Sequence, residues 1–161
     1  GPARADFFRY LLIYRLGGVY LDIKSATSRN LNDIVGNNEY ILQHWWLGGP
    51  FTHLFNNQYG EFQQWNIMSI PNHPFLKAVL KKTMDNIVNY KYSSQMVGKQ
   101  GVLFLTGPAM YTSVILPLLD KYKHKIYYNN NSGGLIYNNL SNPHSEYFKK
   151  HYINLRSRII L

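Results

Sequence analysis

Arg4-Ala5-Asp6-Phe7-Phe8-Arg9-Tyr10-Leu11-Leu12-Ile13-Tyr14-Arg15-Leu16, running into Gly17-Gly18-Val19-Tyr20-Leu21-Asp22-Ile23-Lys24, is the stretch that decides the fold. Residues 7 to 16 are apolar apart from Arg9, Arg15 and the tyrosine hydroxyls, which predicts a helix buried on most sides. Asp6 and Arg9 stand three apart and share a helix face. Gly17 and Gly18 suit a left-handed helix end, where a side chain would clash. Beyond them Val19, Leu21 and Ile23 alternate with Tyr20, Asp22 and Lys24, so a strand would project the latter three from one face. A buried helix and a strand that each carry an acid and a base point to a site.

Working outward, Leu31–Val35 reads as a helical turn closed by Gly36, and Tyr40–His44 as a strand. Residues 45–59 mix bulky rings with Gly, Pro and Asn, as a functional loop or lid would. Gln63–Ile70 predicts a second strand. After Pro71, His73 or Asn72 can cap a helix with Pro74 in its first turn, its apolar side carried by Phe75, Val79, Leu80, Met84, Ile87 and Val88. Val102–Leu105 is a short buried run, and Thr106 is placed to cap the helix that Gly107-Pro108 opens. Pro117 would kink or end that helix. Ile126–Tyr128 and Leu135–Tyr137 predict two more strands. Helices and strands in this order indicate an α/β domain.

The chain has 161 residues, enough for one domain (1–161), and no interdomain linker or repeat is visible. With no cysteine, thiolate metal sites and a cysteine nucleophile are excluded. No apolar run approaches the roughly 18 residues of a membrane span, so at most peripheral membrane contact and a cytoplasmic location are expected. The 17 Lys and Arg against 8 Asp and Glu, a formal charge of +9, favour anionic partners. These charges are dispersed over Lys121-Lys123-Lys125, Lys149-Lys150 and Arg156-Arg158, not gathered into an arm, and no nucleic-acid motif is present. A basic nucleic-acid binder is therefore the distant alternative.

The run Ala5-Asp6-Phe7-Phe8-Arg9-Tyr10 with Gly17-Gly18-Val19-Tyr20-Leu21-Asp22 resembles the DXD-containing sugar-binding glycosyltransferases, among them the initiating α-1,6-mannosyltransferases, capsular polysaccharide transferases and glucosylating clostridial toxins. Weaker echoes lie in Asn66–Pro74, Thr106-Gly107-Pro108 and Lys150-His151-Tyr152. The resemblance implies a GT-A-like, Rossmann-like α/β fold, with its first N-terminal strands lacking and the chain a fragment of a larger domain. It implies transfer of a hexosyl group, with retention, from a UDP- or GDP-sugar to a glycan, lipid-linked or other hydroxyl acceptor, as in polysaccharide biosynthesis. For a eukaryotic mannosyltransferase-like enzyme the location would be the Golgi lumen. The alternative is a degenerate transferase that binds sugar or nucleotide without turnover.

Residue by residue, the resemblance gives Asp6, Arg9 and Tyr20 to the donor; Asn66 and Gln64 are candidates to touch the donor sugar or the acceptor. Asp22 becomes the first acid of the DXD motif, a catalytic and metal-binding position, and His151 a further metal or phosphate contact. Mn²⁺ or Mg²⁺ would be the cofactor, but Lys24 stands where the family has its second Asp. Two readings of Lys24 stay open. It replaces the cation by contacting the leaving diphosphate, or it pairs with Asp22 as a surface salt bridge.

Overall fold

The computed structural model describes residues 1–45, 60–93, 96–128, 133–137 and 158–160. Helix α1 (Pro2–Leu16) starts with proline in its first turn and stops at Gly17. Gly17 and Gly18 both take positive φ, 66° and 96°, and a Cβ on Gly17 would lie 2.7 Å from the Pro71 ring. The chain therefore turns straight into strand β1 (Gly18–Leu21), which passes to β2 (Ala26–Thr27), α2 (Leu31–Val35), β3 (Tyr40–His44) and β4 (Asn66–Ser69). Then come α3 (Pro74–Val88), α4 (Gly98–Leu105), α5 (Pro108–Ile115), a 3₁₀ segment (Leu116–Lys121), β5 (Lys125–Tyr128) and β6 (Leu135–Ile136).

Four strands form a mixed sheet in the order β1-β4-β3-β5, with β4 antiparallel to both neighbours and β5 parallel to β3. Strands β2 and β6 pair as a separate two-stranded antiparallel ribbon. All five β3 residues are buried, which identifies it as a central strand covered on both faces. Tyr40 and Leu42 point into a core with Tyr10 and Ile13 of α1, Phe75, Leu76 and Val79 of α3, and Tyr111 and Ile115 of α5. Ile41 points the other way, to Ile34, Trp65, Met68 and Leu135. Helices thus cover one face, and α2 with β6 covers the other.

Three expectations change. Helix α1 is buried on one side only: Ala3, Asp6, Arg9, Tyr10 and Ile13 face the fold, whereas Phe8, Leu11 and Leu16 (72% exposed) have no described layer above them. Strand β1 ends at Leu21, because Ser25 N–H donates to the Asp22 carbonyl and folds 22–25 into a turn, leaving Ile23 95% exposed. The short run Val102–Leu105 forms the second half of helix α4. Finally, Gly98–Lys121 does have the length and hydropathy of a membrane span. It is broken at Thr106-Gly107 and at Leu116, however, and its Val102, Leu105, Met110, Tyr111 and Ile115 are buried in the fold, as in a core helix pair.

Candidate active site

Arg9 is the centre of the site. One Nη1 hydrogen bonds Asp22 Oδ1 at 3.3 Å and the other the Gln64 carbonyl at 3.0 Å; Nη2 meets Asp6 Oδ1 at 3.3 Å; Nε reaches the Ala5 carbonyl at 3.5 Å. The guanidinium also stands 4.7 Å from the centre of the Tyr20 ring. Of five donors only one Nη2 hydrogen is left for a ligand. The fork therefore ties α1 to the turn after β1 and to the segment leading into β4.

Asp6 is 3% exposed and is held from two more directions. Thr106 Oγ1 donates to its Oδ2 at 2.7 Å, and Gln64 Nε2 to its Oδ1 at 3.2 Å. Tyr10 in turn donates from its hydroxyl toward Gln64 Oε1 and the Thr106 carbonyl. Thr106 thus serves Asp6 and not the helix that follows, whose N-cap is Gly107 without a side-chain bond. Burial pushes the Asp6 carboxyl up to about 6, against the pull of Arg9 and the Thr106 hydroxyl.

Asp22 accepts from Arg9 and, at 2.9 Å, from the Tyr20 hydroxyl, both on Oδ1. Lys24 is not its partner in any described contact: the ammonium sits 4.3 Å from the centre of the Tyr137 ring, a cation–π contact. The salt-bridge reading of Lys24 is thereby replaced. Asp6, Arg9, Tyr20, Asp22, Lys24 and Gln64 all border one cleft of about 620 Å³, which Trp45, Glu61, Lys99 and Tyr137 also line. Among the described residues no three His, Cys, Asp or Glu side chains converge. Among the described residues, Asp22 bonded to Arg9 and Tyr20 beside the Lys24 ammonium is not a ligand set that fits Mn²⁺ or Mg²⁺. His151 lies outside the described residues.

Residues 1–41 match the family described as "Glycosyltransferase sugar-binding region containing DXD motif". The chain is 31% identical over 127 residues to the initiation-specific alpha-1,6-mannosyltransferase of Schizosaccharomyces pombe, covering 73% of this chain and 32% of that protein. To the enzyme of the same name from Candida albicans it is 28% identical over 134 residues, covering 73% and 35%. The chain is related to the DXD-containing sugar-binding glycosyltransferases. It spans about a third of the length of these relatives. A solved structure titled "PaToxG Glycosyltransferase" superposes with a TM-score of 0.51 at 19% identity, over 73% of this chain and 35% of that one, a likeness in fold. The α/β, GT-A-like architecture is the expected one.

Against the family's pattern, five of the expected residues, Asp6, Arg9, Tyr20, Asp22 and Gln64, are joined by direct bonds, and Lys24 shares their cleft. Asn66 is not with them: it is buried in β4, its amide donating to Gln43 Oε1 at 2.9 Å, and it does not border the cleft. Its side chain is spent inside the sheet, on the fully buried Gln43 of the neighbouring strand β3.

Glu61 is the residue that sequence reasoning passed over. It lies between the aromatic-rich stretch 45–59 and the strand signal of 63–70, and an isolated Glu there carries no periodic cue. In the fold it is 1% exposed, borders the cleft, and has a carboxyl pushed up to about 7 by burial, opposed by a bond from the Trp45 side chain and by the charge of Lys99. Because the folded protein holds this proton more tightly than a free carboxyl does, stability falls as pH climbs from about 4.5 through about 7 and stays lower above. Glu61→Gln removes that loss. Relative to the parent, the variant is expected to gain about 3 kcal/mol between pH 4.5 and pH 8, measured by urea denaturation at both pH values. A pH-independent difference would refute the burial assignment.

Proposed function

We propose that this chain carries the donor site of a glycosyltransferase that moves a hexosyl group from a UDP- or GDP-sugar to a hydroxyl acceptor, with retention of configuration. The carrying observation is the Asp6–Arg9–Asp22–Tyr20 cluster at the wall of a 620 Å³ cleft, on the residues where the family match falls. Two relatives named mannosyltransferases favour mannose, hence GDP-mannose, and a glycan acceptor.

In this reading Asp6 and the remaining Nη2 hydrogen of Arg9 meet donor hydroxyls, and Asp22 the ribose. Gln64 acts through Asp6, which it orients. The acceptor oxygen bonds to the anomeric carbon on the face from which the diphosphate departs, and the departing phosphate oxygen takes the acceptor's proton. Such a reaction needs positioning and stabilisation of the leaving charge. Arg9 is committed to two carboxylates, so Lys24 is the cation we assign to the diphosphate, in place of a metal ion.

Incubating the protein with GDP-mannose, UDP-glucose or UDP-galactose, with and without an α-mannoside, tests the reading. The expected result is release of nucleoside diphosphate from one donor, accelerated by acceptor. The competing reading, a degenerate binder, is favoured by the loss of the second motif acid to Lys24. It predicts saturable nucleotide-sugar binding with no free sugar or diphosphate released from any donor.

A further inference from the structure

Glu61 stands apart from the Arg9 cluster, and the chemistry above does not use it. Its backbone is locked: its carbonyl accepts Trp45 N–H at 3.1 Å, the neighbouring Phe62 N–H donates to Thr112 Oγ1 at 2.8 Å, and Phe62 bridges to His44. The side chain is almost wholly buried at the cleft wall, yet Oε2 accepts no hydrogen bond from any described residue. A buried carboxyl oxygen without a partner is costly, and such groups concentrate at functional sites.

The surroundings narrow the ligand. Trp45, Trp65 and Tyr137 border the same cleft, with Tyr137 set 5.5 Å from Trp45 and 5.2 Å from Trp65, ring centre to ring centre. Rings of this kind offer flat apolar faces to the C–H side of a pyranose. A phosphate would be repelled by the carboxylate, and Lys99 already places a positive charge near it. A hydroxyl suits Glu61 in either protonation state, accepting from the acid and donating to the carboxylate. We infer that the Glu61 end of the cleft is a hexose subsite in which Glu61 hydrogen-bonds a sugar hydroxyl, with Trp45, Trp65 and Tyr137 as its apolar walls. Resting on the transferase reading, this sugar is either the hexosyl group of the donor or the first residue of the acceptor glycan.

Calorimetric titration of the parent, Glu61→Ala and Glu61→Gln separates these sources. The donor arm uses GDP-mannose and UDP-glucose against GDP and UDP. The acceptor arm uses methyl α-mannopyranoside and methyl α-glucopyranoside. Both arms include the monodeoxy sugars. Glu61→Ala is expected to weaken the hexose ligand of one arm about 10- to 100-fold while leaving GDP and UDP unchanged, and Glu61→Gln to stay within about threefold of the parent. One deoxy position should weaken the parent but not Glu61→Ala, a coupling that a merely structural residue would not produce.

Unchanged hexose binding in Glu61→Ala, an equal loss for GDP and UDP, equal deoxy effects in both proteins, or no hexose binding by the parent overturns the subsite. If the coupling appears on the glycosides while no nucleotide sugar binds, the subsite stands and the transferase reading falls. If donors turn over and Glu61→Ala changes nothing, the transferase reading stands and the subsite falls.

Discussion

Arg9→Ala is expected to abolish detectable transfer and to destabilise the fold by about 3–5 kcal/mol, the range for removing one partner from a buried ion pair. Asp6 would remain, 3% exposed, with its charge no longer offset. Asp22 would lose its tie to α1, and the Gln64 carbonyl its donor. Arg9→Lys is expected to recover part of the stability and little of the activity. An ammonium is a point charge that cannot span Asp6, Asp22 and the Gln64 carbonyl as the guanidinium fork does. Chemical denaturation together with kcat/KM for the preferred donor checks both halves. A stable Arg9→Ala protein with parental activity would show the cluster to be a surface feature.

Lys24→Ala is expected to lower kcat on the order of 10²- to 10³-fold with a smaller change in donor affinity, as when one preorganised group is taken from a developing negative charge. The parent is expected to keep its activity in excess EDTA. Lys24→Asp rebuilds the two-acid motif and is expected to become dependent on added Mn²⁺. Loss of parental activity in EDTA, restored by Mn²⁺, would overturn the assignment of Lys24 to the diphosphate. The geometry that motivates it is specific: Asp22 is bonded to Arg9 and Tyr20, while the Lys24 ammonium rests on Tyr137 at the cleft. A cation–π contact of about 0.5–2 kcal/mol can hold an ammonium in place and still release it to a phosphate.

Local signals made much of this legible. The Gly17-Gly18 pair has positive φ at both residues, and the strand forms over Tyr40–His44 as read. His73 caps α3, its ring accepting Phe75 N–H at 3.2 Å, as the Asn-His-Pro sequence suggests. These features depend on residues within one turn or strand of each other. Thr106 was misread for the opposite reason. A threonine before Gly-Pro has the local signature of a cap, but its hydroxyl is drawn to Asp6, 100 positions away.

For α1 the sequence by itself determined the helix, its glycine end and the Asp6–Arg9 spacing, because these depend on residues within one or two turns of each other. Which side of α1 would be buried was decided only when the sheet, α3 and α4 packed on Asp6, Arg9, Tyr10 and Ile13, leaving Phe8 and Leu16 outside. The same holds for the chemistry. Asp22 and Lys24 are two residues apart, yet one joins Arg9 and the other Tyr137, because the chain turns between them. Glu61 acquires its raised carboxyl pKa chiefly from burial, against the pull of Trp45 just past β3 and Lys99 on α4, neighbours that no local pattern announces.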